Sequence, residues 1–321
     1  MLIFRSLQEI PADFGPSLVA TGNFDGVHRG HRLVLRNLIA RARQQGARSV
    51  AITFDPHPVR VLRPEQPLRL ITPLQQKLHL LEEAGNGAGG LDAVLVLPFT
   101  QAISQWSAES FARTVLCDAL RAVEVHEGEN FRFGHDASGD MQTLEHLGSQ
   151  LGFAVHAYPA LEWRGETVSS SRIRSLIAQG DLHTARALLQ RPFAIASTTA
   201  RGRGDGTRHT VPTINLAPYE ELLPANGVYI TCMEIAGEAF DAVTNVGNRP
   251  TFGPDAFSVE SHLLQGAPAV IEPGTPVLLH FLDRIREERR WPSPEALKQQ
   301  ILRDAAQAKR YFQLLHSLRA K

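Results

Sequence analysis

Thr21-Gly22-Asn23-Phe24-Asp25-Gly26-Val27-His28-Arg29-Gly30-His31 is the stretch whose reading decides the fold. It follows a short apolar run, Ser17 to Thr21, that reads as a strand, and it opens a segment, His31 to Gln45, with apolar residues at helical spacing. Glycines at such a turn let the backbone approach an anion, and the helix start offers unpaired N–H groups and a positive dipole end. His28 and His31, three apart on one turn, can donate to phosphate oxygens. Taken alone the histidines read equally well as surface residues of a glycine-rich turn. Their place after the first strand of a repeating pattern favours the phosphate reading.

Outward from this turn, strands are expected at Ser49 to Phe54, Asp92 to Leu97, Ala122 to His126 and Phe153 to Tyr158. Helices are expected between them at Pro73 to Ala84, Ala108 to Leu120 and Met141 to Leu151. Strand-helix units of this length imply an α/β fold with a parallel sheet wrapped by helices, whose ligands bind at the carboxyl ends of the strands. Helices at Ser171 to Gln179 and Leu182 to Leu189 then end at Arg191-Pro192, where the pattern changes. Val228 to Glu234, Phe240 to Val246, Val259 to Leu264 and Val277 to Asp283 read as strands without intervening helices, the signature of a small barrel or sandwich. Ser293-Pro294, an N-cap followed by proline, starts a final helix running towards Leu315.

Composition sets the outer bounds. A length of 321 residues favours about two domains. With 43% apolar and 21% charged residues the chain is expected to be globular. The 33 basic and 33 acidic side chains cancel, so no global field holds nucleic acid or an anionic membrane, and neither is expected as a partner. Apolar runs are far shorter than the roughly 20 residues of a membrane span. Cys117 and Cys232 are too few for a disulfide framework, and Met1 to Ile10 carries no secretory pattern, so a cytoplasmic setting is expected. Positive charge is nearly all arginine, the only lysines being Lys77, Lys298, Lys309 and Lys321; none follows a glycine, which excludes a Walker-type loop. Oligomeric state is not legible.

Three further segments carry candidate chemistry. Val168-Ser169-Ser170-Ser171-Arg172-Ile173-Arg174 puts hydroxyls and arginines at a helix start; it reads as a second anion cradle or, equally, as an N-cap with solvated arginines. Thr53-Phe54-Asp55-Pro56-His57-Pro58 must be a loop, since each proline pushes its predecessor out of the helical region. Asn130-Phe131-Arg132-Phe133-Gly134 can present aromatic faces to a planar ligand or pack as a structural turn.

TGNFDGVHRGH, TFDPHP, GENFRFG and VSSSRIR, in this order and spacing, resemble the adenylyltransferase module of the bacterial bifunctional riboflavin kinase and FMN adenylyltransferase family. The resemblance implies a Rossmann-like HxGH nucleotidyltransferase domain, in which ATP and FMN give FAD and pyrophosphate. His28 and His31 would stabilise charge developing on the ATP phosphates. Gly22, Asn23, Phe24, Asp25 and Gly26 would shape the ATP pocket, and Ser169, Ser170, Ser171 and Arg174 would grip the phosphates. Ser171 stands where the family usually has threonine. Asn130, with Phe131, Phe54, Pro56 and His57, would meet flavin or nucleotide. Glu127 stands where the family usually carries an apolar residue.

The second half is similar to the family's riboflavin kinase module, a six-stranded β-barrel with a terminal helix. Its fitting segments include Pro212-Thr213-Ile214-Asn215 and Val259-Glu260-Ser261. The resemblance implies that Thr213 and Asn215 organise ATP with Mg2+, and that Glu260 is the base for the ribityl hydroxyl. Gly202 and Gly206 fit the family's glycine-rich ATP loop, but Ser197 and Thr210 stand at two of its glycine positions and Thr207 at its arginine. Side chains there weaken nucleotide binding if the loop needs positive φ. The expected organisation is therefore residues 1–187 for FMN adenylyl transfer and 188–321 for riboflavin phosphorylation. The alternative is an FMN adenylyltransferase whose flavin-binding barrel is kinase-inactive.

Overall fold

The computed structural model describes residues 1–66, 68–85, 89–200, 213–248, 257–265, 271–289 and 291–319. The chain divides into two compact units, Met1–Ser170 and Ser171–Lys321.

The first unit runs β1 (Leu2–Phe4), β2 (Ser17–Thr21), α1 (Arg29–Gln45), β3 (Arg48–Asp55), α2 (Pro58–Leu62), α3 (Leu74–Glu82), β4 (Ala93–Pro98), α4 (Gln101–Ser104), α5 (Ala108–Phe111), β5 (Ala122–Gly128), α6 (Met141–Leu151) and β6 (Ala154–Tyr158). A small hairpin, β7 (Glu162–Trp163) with β8 (Glu166–Thr167), follows. Strands β1 to β6 form one sheet in the order β1-β4-β3-β2-β5-β6, every pairing parallel. Helices cover both faces, which is why all five residues of β2 are buried. Val19 feeds the layer containing Phe111, Val115 and Leu144, while Leu18 and Ala20 feed the layer containing Leu35, Leu38, Ile39 and Leu81.

The α/β reading holds, with strand and helix bounds near those expected. The expected helix over Ala108 to Leu120 is instead α5 followed by a π-helical stretch, Ala112–Ala119. Strands β1, β7 and β8 escaped sequence reading because segments of two or three residues carry no measurable periodicity.

The second unit contains all but the first residue of α7 (Ser170–Gln179), then α8 (Leu182–Leu189), β9 (Phe193–Ala200), β10 (Ile214–Leu216), β11 (Gly227–Ile235), β12 (Glu238–Asn248), β13 (Phe257–Leu263), β14 (Pro276–Glu287) and α9 (Pro294–Arg319). Its six strands close a barrel in the order β10-β13-β12-β11-β14-β9, so of the two architectures expected the barrel is found. Helix α9 starts at the expected cap, the Ser293 hydroxyl accepting from the Ala296 N–H at 3.1 Å. It lays Ala308 and Phe312 on Val228, Ile230 and Val243 of the barrel wall. A bidentate pair from Arg286 of β14 to buried Asp304 fixes its register.

Candidate functional site

A cleft of about 370 Å3 opens at the carboxyl ends of β2, β5 and β6. The chain leaves β2 for β3 on one side, while β5 lies on the other, so the cleft sits at the topological switch point of the sheet. Gly22, Phe24, His28, Gly30 and His31 line one wall; Asn130, Phe131 and Tyr158 line another, and Ser169 and Ser170 complete the rim.

The motif between β2 and α1 is tightly bent. Phe24, Gly26 and Val27 all hold positive φ, at 46°, 83° and 37°. For valine this region is sterically costly, of order 1–3 kcal/mol, and it persists only where the surroundings fix it. Asp25 supplies part of that hold. Its buried carboxylate accepts from the N–H of Ile71 at 3.1 Å and of Thr72 at 3.0 Å, and its carbonyl accepts from the Ser170 hydroxyl at 2.8 Å. The Thr72 hydroxyl accepts from the Gly26 N–H at 3.0 Å.

His28 is the N-cap of α1, its Nδ1 accepting from the His31 N–H at 3.4 Å. The two imidazoles stack with centroids 3.6 Å apart and 17° between planes. A Cβ on Gly30 would lie 3.2 Å from the His28 ring, so the glycine of HxGH keeps this ring in place. Burial, then the neighbouring His28 and Lys77, hold His31 well below the ordinary 6.5, so its ring is neutral at physiological pH. Its Nδ1 is buried without a hydrogen-bond partner, a polar atom placed to meet a ligand.

Lys77 was noted in the sequence only as one of four lysines. It is 2% exposed on α3, and its ammonium donates to the Thr53 hydroxyl at 3.3 Å, which in turn donates to the Asn23 carbonyl at 3.2 Å. Burial lowers its pKa, while Asp25 and Asp55 oppose the shift. No spacing rule singled it out, because α3 reads as an ordinary amphipathic helix.

The remaining expected residues divide. Among the described residues, Asn23, Asp25, Gly26, Phe54, Pro56 and His57 do not line the cleft. Phe54 packs edge-on against Phe99 at 5.6 Å, and the Asp55–Pro56 peptide is cis. His57 caps α2, its Nδ1 accepting from the Val59 N–H at 3.2 Å. Phe131 stacks on Phe133 at 5.2 Å, so the aromatic turn both packs and faces the cleft. Ser171 and Arg174 lie on α7 in the second unit.

Behind Tyr158 lies a polar relay that sequence reading missed. Glu124 and His126 of β5 and His156 of β6 converge, their ligand-type atoms within 4.8 Å. Arg41 donates to both Glu124 oxygens, one at 2.8 Å, and Gln45 donates to it at 2.7 Å, so guanidinium and amide already engage both carboxylate oxygens. Although burial opposes it, these donors hold Glu124 down at about 2. His126, lowered to about 4 chiefly by burial, is neutral. A carboxylate only accepts, so His126 Nε2–H donates to Glu124 at 3.1 Å and Nδ1 accepts from the Tyr158 hydroxyl at 2.8 Å. The relay orients a side chain of the cleft wall. Its only sequence trace is the Glu-x-His alternation on β5.

In the barrel, Asn215 of β10 stands directly opposite Glu260 of β13, and Asn245 of β12 opposes Glu260 on the other side. Directly opposed residues share a face with Cβ atoms about 5 Å apart. Residues distant in sequence thus meet on one barrel face, with half-buried Glu260 at its centre. Thr213 lies exposed just before β10. Ser197 is on β9, opposite Val277. Gly202, Gly206, Thr207 and Thr210 lie outside the described residues.

Comparison with known proteins agrees with this two-unit geometry. The family described as FAD synthetase matches residues 10–172, and that described as riboflavin kinase matches 189–312. Curated relatives described as bifunctional riboflavin kinase/FMN adenylyltransferase include one from Pseudomonas fluorescens, 35% identical over 96% of this chain and 97% of its own. Others come from Escherichia coli (strain K12), 31% identical over 92% of this chain and 93% of its own, and Bacillus subtilis (strain 168), 31% identical over 92% of each. A crystal structure from Streptococcus pneumoniae, described as a macrolide-efflux protein, aligns with a TM-score of 0.85 and 26% identity over 96% of this chain and 98% of its own. Among the described residues of the present chain, no helix is long and apolar enough to cross a membrane. With both modules matched in order and relatives aligned along nearly their whole length, the chain belongs to the bifunctional riboflavin kinase/FMN adenylyltransferase family.

Proposed function

We propose that this chain makes FAD from riboflavin in two ATP-dependent steps, phosphorylation in residues 188–321 and adenylyl transfer in residues 1–187. In the second step an FMN phosphate oxygen attacks the α-phosphorus of ATP, forming the new P–O bond as pyrophosphate leaves. The observation that carries this reading is the stacked His28–His31 pair at the N-terminus of α1, inside a cleft at the switch point of the sheet. Their N–H groups donate to the phosphate oxygens as charge moves onto pyrophosphate, and the helix dipole acts in the same sense. Gly22 and Phe24 shape the ATP side and Ser169 and Ser170 its rim, and Asn130 with Phe131 meets the flavin. Asp25 and Gly26 act by holding the turn.

In the first step Glu260 takes the proton from the riboflavin 5′-hydroxyl as it attacks the γ-phosphorus, and ADP leaves. The hydroxyl of Thr213 and the side-chain oxygen of Asn215 are hard donors of the kind magnesium takes, and Asn215 lies directly across from Glu260, so these two residues fit the metal of Mg-ATP. Bound there, the ion would neutralise phosphate charge. The setting we propose for this work is the cytoplasm, the expectation from a chain with too few cysteines for a disulfide framework.

The test is chromatographic: purified protein with Mg-ATP receives riboflavin in one tube and FMN in another, and flavins are quantified over time. FAD from both is expected. FAD from FMN alone would overturn the kinase assignment, and no product from either would overturn both.

A further inference from the structure

The floor of the nucleotide cleft holds two buried polar groups that no part of the proposed mechanism uses. Thr21 ends β2 and Glu127 lies near the end of β5; both line the cleft, at 7% and 3% exposure. The pairing of β2 with β5 ends at Val19 and Val125, after which the strands part. The Gly22 N–H turns to Ile52 of β3, and the Thr21 N–H, facing the gap, is taken by Glu127 Oε1 at 2.6 Å. The Thr21 hydroxyl is buried beside the Glu127 carboxyl and makes no hydrogen bond of ordinary length. Among the described residues, no cation pairs with Glu127; the Thr21 amide and hydroxyl are the polar groups set against it. The other ionisable groups facing the cleft are His28 and His31 from α1, Glu129 from the loop after β5 and Tyr158 from β6, with Lys77 of α3 behind His31.

We infer that Thr21 and Glu127 form a nucleotide-binding pair in the cleft floor, Glu127 acting as an uncharged acid whose O–H donates to an oxygen of ATP. This rests on the adenylyltransferase reading above. An ionised carboxylate here would confront the polyphosphate with like charge in a poorly solvated site, whereas a neutral acid offers it a donor. Burial, only partly opposed by the Thr21 groups, pushes the Glu127 carboxyl well above the ordinary 4.5, which favours that form. Glu127 Oε1 remains the partner of the Thr21 N–H, so the side chain is positioned by backbone, and in the inferred pair its second oxygen carries the proton offered to the ligand.

FAD formation from FMN, measured against ATP concentration at pH 7 in Glu127→Gln and Glu127→Leu, tests the pair, with riboflavin phosphorylation by the same preparations reporting folding. Glutamine keeps an acceptor for the Thr21 N–H and an uncharged donor towards the cleft; leucine keeps neither. The expected kcat/KM for ATP is about tenfold lower in the leucine variant than in the glutamine variant, the difference carried by KM. Thr21→Val, which removes the hydroxyl and conserves volume, is expected to raise KM for ATP severalfold, and Thr21→Ser to restore it. Equal kcat/KM in the glutamine and leucine variants would overturn the role of Glu127, and an unchanged KM in Thr21→Val that of Thr21. A wild-type chain that turns riboflavin but makes no FAD would instead sink the adenylyltransferase reading beneath them.

Discussion

Asp25→Ala separates a residue that holds the site from one that touches substrate. The substitution removes the carboxylate that accepts from the Ile71 N–H at 3.1 Å and the Thr72 N–H at 3.0 Å. Asp25, Ile71 and Thr72 are at most 1% exposed, so water does not reach the orphaned donors. Two such N–H groups, each worth about 2 kcal/mol when its charged acceptor is lost, give a destabilisation of about 4 kcal/mol. A unit of this size loses roughly 2–4 °C per kcal/mol, so its melting transition should fall by about 10 °C. Asp25→Asn keeps one acceptor and should lose about half as much. The assay is scanning calorimetry of the full chain, run beside FAD formation at a temperature where the variant is folded. A melting shift below about 2 °C with a large rise in KM for ATP would refute the argument and make Asp25 a ligand contact.

Four other outcomes are expected. His31→Ala should lower FAD formation from FMN by about 10²–10³-fold, the usual cost of one transition-state donor, while FMN formation from riboflavin persists; equal loss in both assays would count against it. Glu260→Gln should do the reverse, slowing riboflavin phosphorylation by about 10²–10⁴-fold with FAD formation from FMN retained. His126, held neutral in the fold, takes up a proton on unfolding and so costs stability as pH drops from 6.5 towards about 4; His31 adds to this loss and Glu127, raised in the fold, opposes it. Stability should fall again between pH 4.5 and about 2 as Glu124, depressed in the fold, is protonated; urea unfolding of His126→Gln should show a shallower upper limb, the remainder belonging to His31, with the lower limb kept. Asp304→Ala leaves the Arg286 guanidinium unpaired beneath α9 and should cost about 3 kcal/mol, read as a lower melting transition of the barrel unit.

What the sequence made legible follows from the range of each signal. Strand β2, the turn after it and α1 were readable because their cues are local: an apolar run, glycines, then apolar residues at helical spacing. Parallel pairing followed from the strand-helix alternation, and with it the carboxyl-end location of the cleft. Residue roles inside the motif were less legible, because residue type records that a group is needed without recording which way it points. Asp25 and His28 are three apart in one motif, yet one carboxylate turns inward to backbone at 71 and 72 while the other side chain faces the cleft. Phe54 and His57, equally marked by their motif, pack and cap at the end of β3.

The contacts that sequence reading could not supply depend on how distant segments meet in the fold. Glu127 meets Thr21 only because β2 and β5 part beyond Val19 and Val125, and 106 residues separate them in the chain. Lys77 meets Thr53 from a helix whose pattern is that of any amphipathic segment. Glu260 and Asn215 were found by motif, but their opposition across β13 and β10 is a property of register. A switch point draws together residues from strands that are not consecutive, and its chemistry is therefore the part of an α/β fold that local pattern reports least. The Thr21–Glu127 pair has this origin: strands diverging to admit a ligand leave backbone N–H groups unpaired, and a buried side chain that satisfies one of them is already positioned to bind what enters.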